Sequence, residues 1–195
     1  SRWVNQSDNV AALRNTGWSD VGLLSLSTAD HSAFADILHG LAALESNRHV
    51  SFALPSTRVD AIGEEQLDLL QSVSHASSFT IAPEAGSERL RRVVNKDFAH
   101  QDIMNAAEAL LHRKVVTLKL YFMIGLPTET WDDIQSIVGL VEDVSQLARG
   151  RGRRITINVA VSPFSPKPHT PFQWEAFGPA DALGEKARHI KRALA

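Results

Sequence analysis

The sequence predicts an α/β protein built on a parallel sheet. Three observations carry this: apolar, β-branched runs recur along the chain, each ends in small, polar or proline residues, and segments of helical period alternate with them. Strands spaced by helices are the pattern of βαβ units, whose crossovers need a dozen or more residues, and the resulting sheet is either doubly wound or rolled into a barrel.

Residues 1–16 read as a helix with no strand before it. The first apolar run, 21–27, leads to a helical segment over 32–44 with Phe34, Ile37, Leu38, Leu41 and Leu44 on one face. A second run, 49–54, closes at Pro55 and precedes a helix over 64–74. The third, 78–82, stops at Pro83; Ser87 then caps a helix over 88–94, and another covers 100–113. The fourth, 115–124, is the longest and opens into Gly125 and Pro127, with a helix over 130–147 presenting Ile134, Ile137, Val138, Val141 and Val144. The fifth, 154–161, runs into a proline-rich segment, 162–178, that suits neither helix interior nor central strand, and a last helix spans 179–194. Near-continuous apolar runs predict strands covered on both faces.

At 195 residues with 44% hydrophobic and 22% charged residues, the chain reads as one globular domain, 1–195. A net charge of -2 gives no electrostatic reason to expect nucleic acid or an anionic membrane as partner. The one dense basic run, Arg149 to Arg154, reads as a solvated loop capping a helix end. No stretch approaches the roughly 20 apolar residues of a membrane span, and no signal-peptide pattern opens the chain, so a cytoplasmic protein is expected. With no cysteine, the chain itself offers neither disulfide nor thiolate metal site.

Parallel α/β architectures bind ligands at the carboxyl ends of their strands. Those ends here hold Ser25, Ser27, Thr28 and Asp30; Ser56 and Arg58; Glu84 and Arg89; Gly125, Thr128 and Glu129; and Pro163, Lys167 and His169. Glu84 is placed either to accept hydrogen bonds from ribose hydroxyls or to pair with Arg89. Gly125 either shapes a turn or lets backbone approach a planar ring. Thr128 and Glu129 suit a helix start. His75, His100 and His112 read as surface or helix-end residues, since no second ligand stands at zinc-like spacing. His169 suits a rim hydrogen bond better than acid/base catalysis.

Five of these segments, in order, resemble radical S-adenosylmethionine (SAM) proteins, particularly those with an amino-terminal B12-binding domain known as Fe-S oxidoreductases. They are Leu-Leu-Ser-Leu-Ser-Thr-Ala-Asp (23–30), Leu-Pro-Ser-Thr-Arg (54–58), Ile-Ala-Pro-Glu-Ala-Gly-Ser-Glu-Arg-Leu-Arg (81–91), Lys-Leu-Tyr-Phe-Met-Ile-Gly-Leu-Pro-Thr-Glu-Thr (119–130) and Ser-Pro-Lys-Pro-His-Thr-Pro-Phe-Gln-Trp (165–174). The resemblance implies a partial, TIM-like (β/α)6 barrel cut to about five βα units, with the 162–178 segment on its rim. The helix over 1–16 would follow an absent first strand, whose Cys-x-x-x-Cys-x-x-Cys loop ligates a 4Fe-4S cluster in the family.

Reductive cleavage of SAM at that cluster would then begin radical chemistry in the full-length protein, the cofactor carrying the hard step. The resemblance assigns Ser25, Ser27 and Thr28 to the methionine amino group, although the family's Gly-Gly-Glu is not present there. It assigns Glu84 to the ribose, Arg89 to the methionine carboxylate, and Gly125, Leu126, Pro127, Val161, Pro163 and Phe164 to the adenine side. Ser56, Arg58, Lys119, Tyr121, Lys167 and His169 would face substrate. It further implies an upstream cluster-loop segment, a B12-binding domain as partner with cobalamin as a further cofactor, and no metal or stably held cofactor in this chain alone. Two other readings stay open: a cluster-less barrel acting as a binding module, and an aldolase-like barrel in which Lys119 forms a Schiff base.

Overall fold

The computed structural model describes residues 78–113 and 115–195, together with 15–16, 20–22, 36, 39–40, 51–53 and 67–68. Strands β1 (Asp20–Gly22) and β2 (Ser51–Ala53) pair in parallel, Val21 opposite Phe52. A second parallel sheet joins β3 (Ser78–Glu84), β4 (Thr117–Ile124) and β5 (Thr156–Pro163), with β4 in the middle. Between and after these strands run α1 (Glu88–Val93), α2 (His100–Leu111), α3 (Trp131–Gly150) and α4 (Ala180–Ala193). The expected alternation of strand and helix holds throughout these residues. Of the helix expected over 1–16, Asn15 and Thr16 are described and are helical. Ser25, Ser27, Thr28, Ser56, Arg58 and His75 lie outside the described residues.

Local sequence explains the boundaries. Ser87 accepts the backbone N–H of Leu90 and so satisfies one free donor of α1. At the start of α2 the Asp102 carboxylate accepts the Ala99 N–H at 2.7 Å, and at the start of α3 Asp133 does the same for Thr130 at 2.7 Å. Helix α3 runs to Gly150, beyond the expected end at 147. The basic run that follows is engaged with its neighbours: Arg153 donates to the carbonyls of Arg113 and Val115, and Arg151 pairs with Glu108 and His112.

The main core lies between the three-stranded sheet and its helices. Leu118, Leu120, Phe122 and Ile124 of β4 are buried there with Ile81 of β3 and Ile134, Ile137, Leu140, Val141 and Val144 of α3. Helices α2 and α4 flank α3 and add Ile103, Ala107 and Leu110 on one side, Leu183 and Ile190 on the other. Expected two-sided burial is not what β4 shows. Its residues alternate, so that Thr117, Lys119, Tyr121 and Met123 share the face away from the helices, and Tyr121 is 40% exposed.

Strand β3 also continues through Pro83 to Glu84 instead of stopping at 82. Its register against β4 slips between Ile81 and Glu84, and a proline without an N–H is tolerated at such an irregularity.

Candidate functional site at the strand ends

The carboxyl ends of β3, β4 and β5 lie side by side because the strands are parallel and in register, Phe122 opposite both Glu84 and Val161. Backbone in the left-handed region gathers at these ends. Glu84 has φ 66°, Gly125 79°, Thr128 63°, and His169, past the end of β5, 61°. For residues with a Cβ such a conformation costs energy and persists where the surroundings impose it.

Behind Glu84 the chain is held from three directions. Arg91 is wholly buried and donates to the carbonyls of Ala85 (3.1 Å), Gly86 (2.8 Å) and Phe98 (3.1 Å), with its guanidinium over the Phe98 ring. Burial holds its pKa below the ordinary arginine value. Helix α3 presses its backbone against Gly86, where an added Cβ would lie 2.2 Å from the amide nitrogen of Ile137. The third hold is Asp133, 3% exposed, which accepts from the Ser87 hydroxyl, the Thr130 N–H (2.7 Å) and hydroxyl (2.8 Å), and Arg89.

Arg89 therefore joins two rim loops. It meets Asp133 and donates to Thr128 at both its carbonyl (2.9 Å) and its hydroxyl (3.2 Å). The cation beside Glu84 is Lys96 and not Arg89: its ammonium is 2.9 Å from the Glu84 carboxylate and 3.0 Å from the Ala82 carbonyl, with both side chains about a quarter exposed. Sequence reasoning missed Lys96, yet one signal for it existed. Asn95 follows the end of α1 in the left-handed conformation typical of asparagine there and turns the chain back toward the strand end.

On the next strand, Glu129 accepts the Gly125 N–H with both carboxylate oxygens at 2.9 Å and receives Lys186 of α4 at 2.5 Å. Its carboxylate is 2% exposed, so it fastens the loop after β4 to α4. Of the expected adenine-side residues, Leu126 and Phe164 share one cluster and Val161 does not. Leu126 and Phe164 are buried in one small cluster with Ala85 and Leu90, where Met123 and Phe172 also pack. Val161 packs on the main core, and Phe164 donates its N–H to the Ile124 carbonyl at 2.8 Å and stands edge-on to Phe172.

Lys167 and His169 occupy an exposed turn whose bonds are local, Thr170 to the Lys167 carbonyl and the His169 N–H to Gln173. Lys119 and Tyr121 lie on the open face of β4. His100 pairs with Asp143 at 3.1 Å. Among the described residues no three histidine, aspartate or glutamate side chains are placed to hold a metal ion, and no helix is long and apolar enough to cross a membrane.

Asp133 gives this rim a pH dependence. Burial pushes its carboxyl up, but the hydrogen bonds from Ser87, Thr130 and Arg89 outweigh burial and hold it below the usual aspartate value of 3.8. A group depressed in the folded state contributes stability above its unfolded pKa and loses it as pH falls through the folded value. Asp133→Asn is therefore expected to lower the unfolding free energy by about 2 kcal/mol near neutral pH, the half-exposed Arg89 adding little. The gap from wild type should close as the pH drops below about 4. Urea titrations of both proteins across that range measure it, and a gap that does not change with pH would refute the assignment.

Residues 6–141 match the Radical SAM superfamily. An uncharacterized protein of Methanocaldococcus jannaschii is 33% identical over 174 residues, covering 89% of this chain and 36% of that protein. The tRNA-2-methylthio-N(6)-dimethylallyladenosine synthase of Hydrogenobaculum sp. is 24% identical over 145 residues, 70% of this chain and 33% of that enzyme. This chain thus spans about a third of the length of these relatives. In fold it is similar to coproporphyrinogen III oxidase from Escherichia coli, a radical SAM enzyme, with a TM-score of 0.64 at 12% identity over 98% of this chain and 46% of that one. The parallel α/β architecture is thus that of a TIM-like barrel whose sheet is not closed among the described residues. With the family pattern covering most of its length and the strand ends arranged as they are, the chain belongs to the radical SAM superfamily.

Proposed function

We propose that this chain forms the SAM- and substrate-facing part of a radical SAM enzyme of the Fe-S oxidoreductase type, the C-terminal portion of its barrel. The observation that carries the reading is the Glu84–Lys96 pair at a left-handed strand end, next to the apolar cluster of Ala85, Leu126 and Phe164. SAM bears an amino group, a carboxylate, ribose hydroxyls and a flat purine. A partly exposed carboxylate and ammonium beside an apolar wall complement those groups. In this reading Glu84 accepts from the ribose, and Lys96 meets the methionine carboxylate in the place the sequence reading gave to Arg89. Arg89 holds Thr128 and the Gly125 turn against the adenine. If SAM is held here, one electron from a cluster elsewhere in the full-length protein would break its sulfur–carbon bond, releasing methionine and supplying a 5'-deoxyadenosyl radical.

The residues present do not fit an iron-sulfur cluster, since the chain has no cysteine. Its ligands, and any B12-binding domain with cobalamin, would belong to other parts of the full-length protein, which we place in the cytoplasm. That same lack of cysteine favours a second reading, in which the barrel binds ligands without cleaving SAM.

The test is 5'-deoxyadenosine release from SAM by the full-length protein, reconstituted anaerobically with iron and sulfide and given a strong reductant, with this 195-residue chain as control. Release by the full-length protein alone is the expected result. Glu84→Ala and Lys96→Met should each weaken SAM binding by about 100-fold, the loss of one charge-assisted contact. No release from a protein with its cluster loaded would favour the binding module.

A further inference from the structure

The face of the three-stranded sheet turned away from the helices is polar. Parallel register places Ser78, Thr117 and Thr156 in one row, Thr80, Lys119 and Asn158 in the next, and Tyr121 beside Ala160 above them. Residues opposite one another on neighbouring parallel strands share a face and stand about 4.8 Å apart. Barrel interiors are ordinarily filled by Val, Ile and Leu. Here that face offers hydroxyls, an amide, a phenol and one ammonium.

Lys119 is the charge on this face, and it is half-buried. It makes no ion pair or hydrogen bond with the described residues, and neither do the side chains of Thr80 and Asn158 on either side of it. The rows around it contain no carboxylate. A half-buried cation with no counter-ion among the described residues, between a hydroxyl and an amide that can both donate hydrogen bonds, is complementary to an oxyanion. Lysine suits such a group as a compact charge with three donors.

Position separates this row from the SAM groups. Lys119 stands three residues before Phe122, the register partner of Glu84, which is about 10 Å deeper along the strand. The anion it receives is therefore not the carboxylate that Lys96 would meet at the rim.

We propose that the Thr80–Lys119–Asn158 row receives an oxyanion group, a carboxylate or a phosphate, of the substrate, so that the substrate enters the barrel with its anionic end down and its reacting end toward the strand mouth. The substrate role rests on the radical SAM reading; the anion site itself does not. It also gives Lys119 work that needs no Schiff base, since a free ammonium facing an anion is held as a charge and not as a nucleophile.

The test uses the full-length protein without SAM, its lysines carrying carbon-13 methyl groups, which keep their charge. It is titrated with inorganic phosphate and separately with acetate. One methyl-lysine resonance, identified by its absence from Lys119→Gln, should shift saturably with at least one of the two anions. Asn158→Leu should weaken that titration about tenfold, the loss of one hydrogen bond to a charged group. A response to phosphate alone names a phosphorylated substrate, and a response to acetate alone a carboxylic acid. A Lys119 resonance unmoved by both overturns the proposal. A shift in a protein with its cluster loaded that releases no 5'-deoxyadenosine leaves the anion site standing and removes the SAM-cleaving reading, whereas release with an unmoved Lys119 removes the anion site alone.

Discussion

Gly86→Ala is expected to cost about 3 kcal/mol or more, a large share of the stability of an ordinary domain. The added methyl group would sit 2.2 Å from the Ile137 nitrogen, 2.5 Å from the Ser136 carbonyl carbon and 2.8 Å from the Ile137 Cα. All three are backbone atoms within α3, so no rotamer change relieves the overlap. The helix must move as a body, and Ile134, Ile137, Leu140 and Val141 would lose their fit against the sheet with it. For a chain of this size the melting temperature should fall by about 10 °C. Calorimetry on the variant decides the matter, and a drop of only about 2 °C would mean that α3 does not rest on this turn.

Arg91→Met carries the second large effect. Methionine keeps much of the volume but removes the donors that satisfy the buried carbonyls of Ala85 and Gly86 and the partly buried carbonyl of Phe98. Leaving two buried acceptors without partners, together with the loss of the Phe98 contacts, should destabilise the fold by about 3–5 kcal/mol. Arg91→Lys should recover little of this. Three carbonyls in different directions match a planar fork, and a single ammonium cannot reach them all. Urea unfolding of the two variants tests the claim, and a lysine variant as stable as wild type would refute the fork argument. Ala85 and Gly86 directly follow Glu84, so if Glu84 meets SAM as proposed, either variant should also weaken SAM binding in the full-length protein, through position and not contact.

Much of this architecture was legible because it is written in short-range pattern. The alternation of runs, the Ser87 cap, and the apolar faces of α2 and α3 follow from residues within one or two turns of each other. What was illegible depends on partners far along the chain. Asp133 and Arg89 are 44 residues apart, and Lys186 and Glu129 are 57 apart. Nothing local announces that Arg89 has a carboxylate waiting on another helix, whereas the return of Lys96 to Glu84 has only the left-handed Asn95 before it as a local sign. Two-sided burial of β4 was inferred from its high apolar content, but Thr117, Lys119 and Tyr121 fall at alternate positions, and period two, not composition, decides which face meets the helices. The apparent stop at Pro83 failed for a related reason, since the rule concerns regular ladders and this strand slips register at that point.

The tie from Lys186 through Glu129 to the Gly125 amide bears on where the working unit ends. The family pattern stops at residue 141, inside α3. Yet the turn beside the expected purine is fastened by a residue 45 positions later, and Leu183 of the same final helix packs so closely on Gly125 that an added Cβ there would lie 2.6 Å away. A boundary drawn at residue 141 would strip the clamp from the strand-end rim while leaving the whole matched pattern in place. For this fold the smallest piece that keeps its rim shaped reaches through α4, and sequence signature and mechanical unit have different lengths.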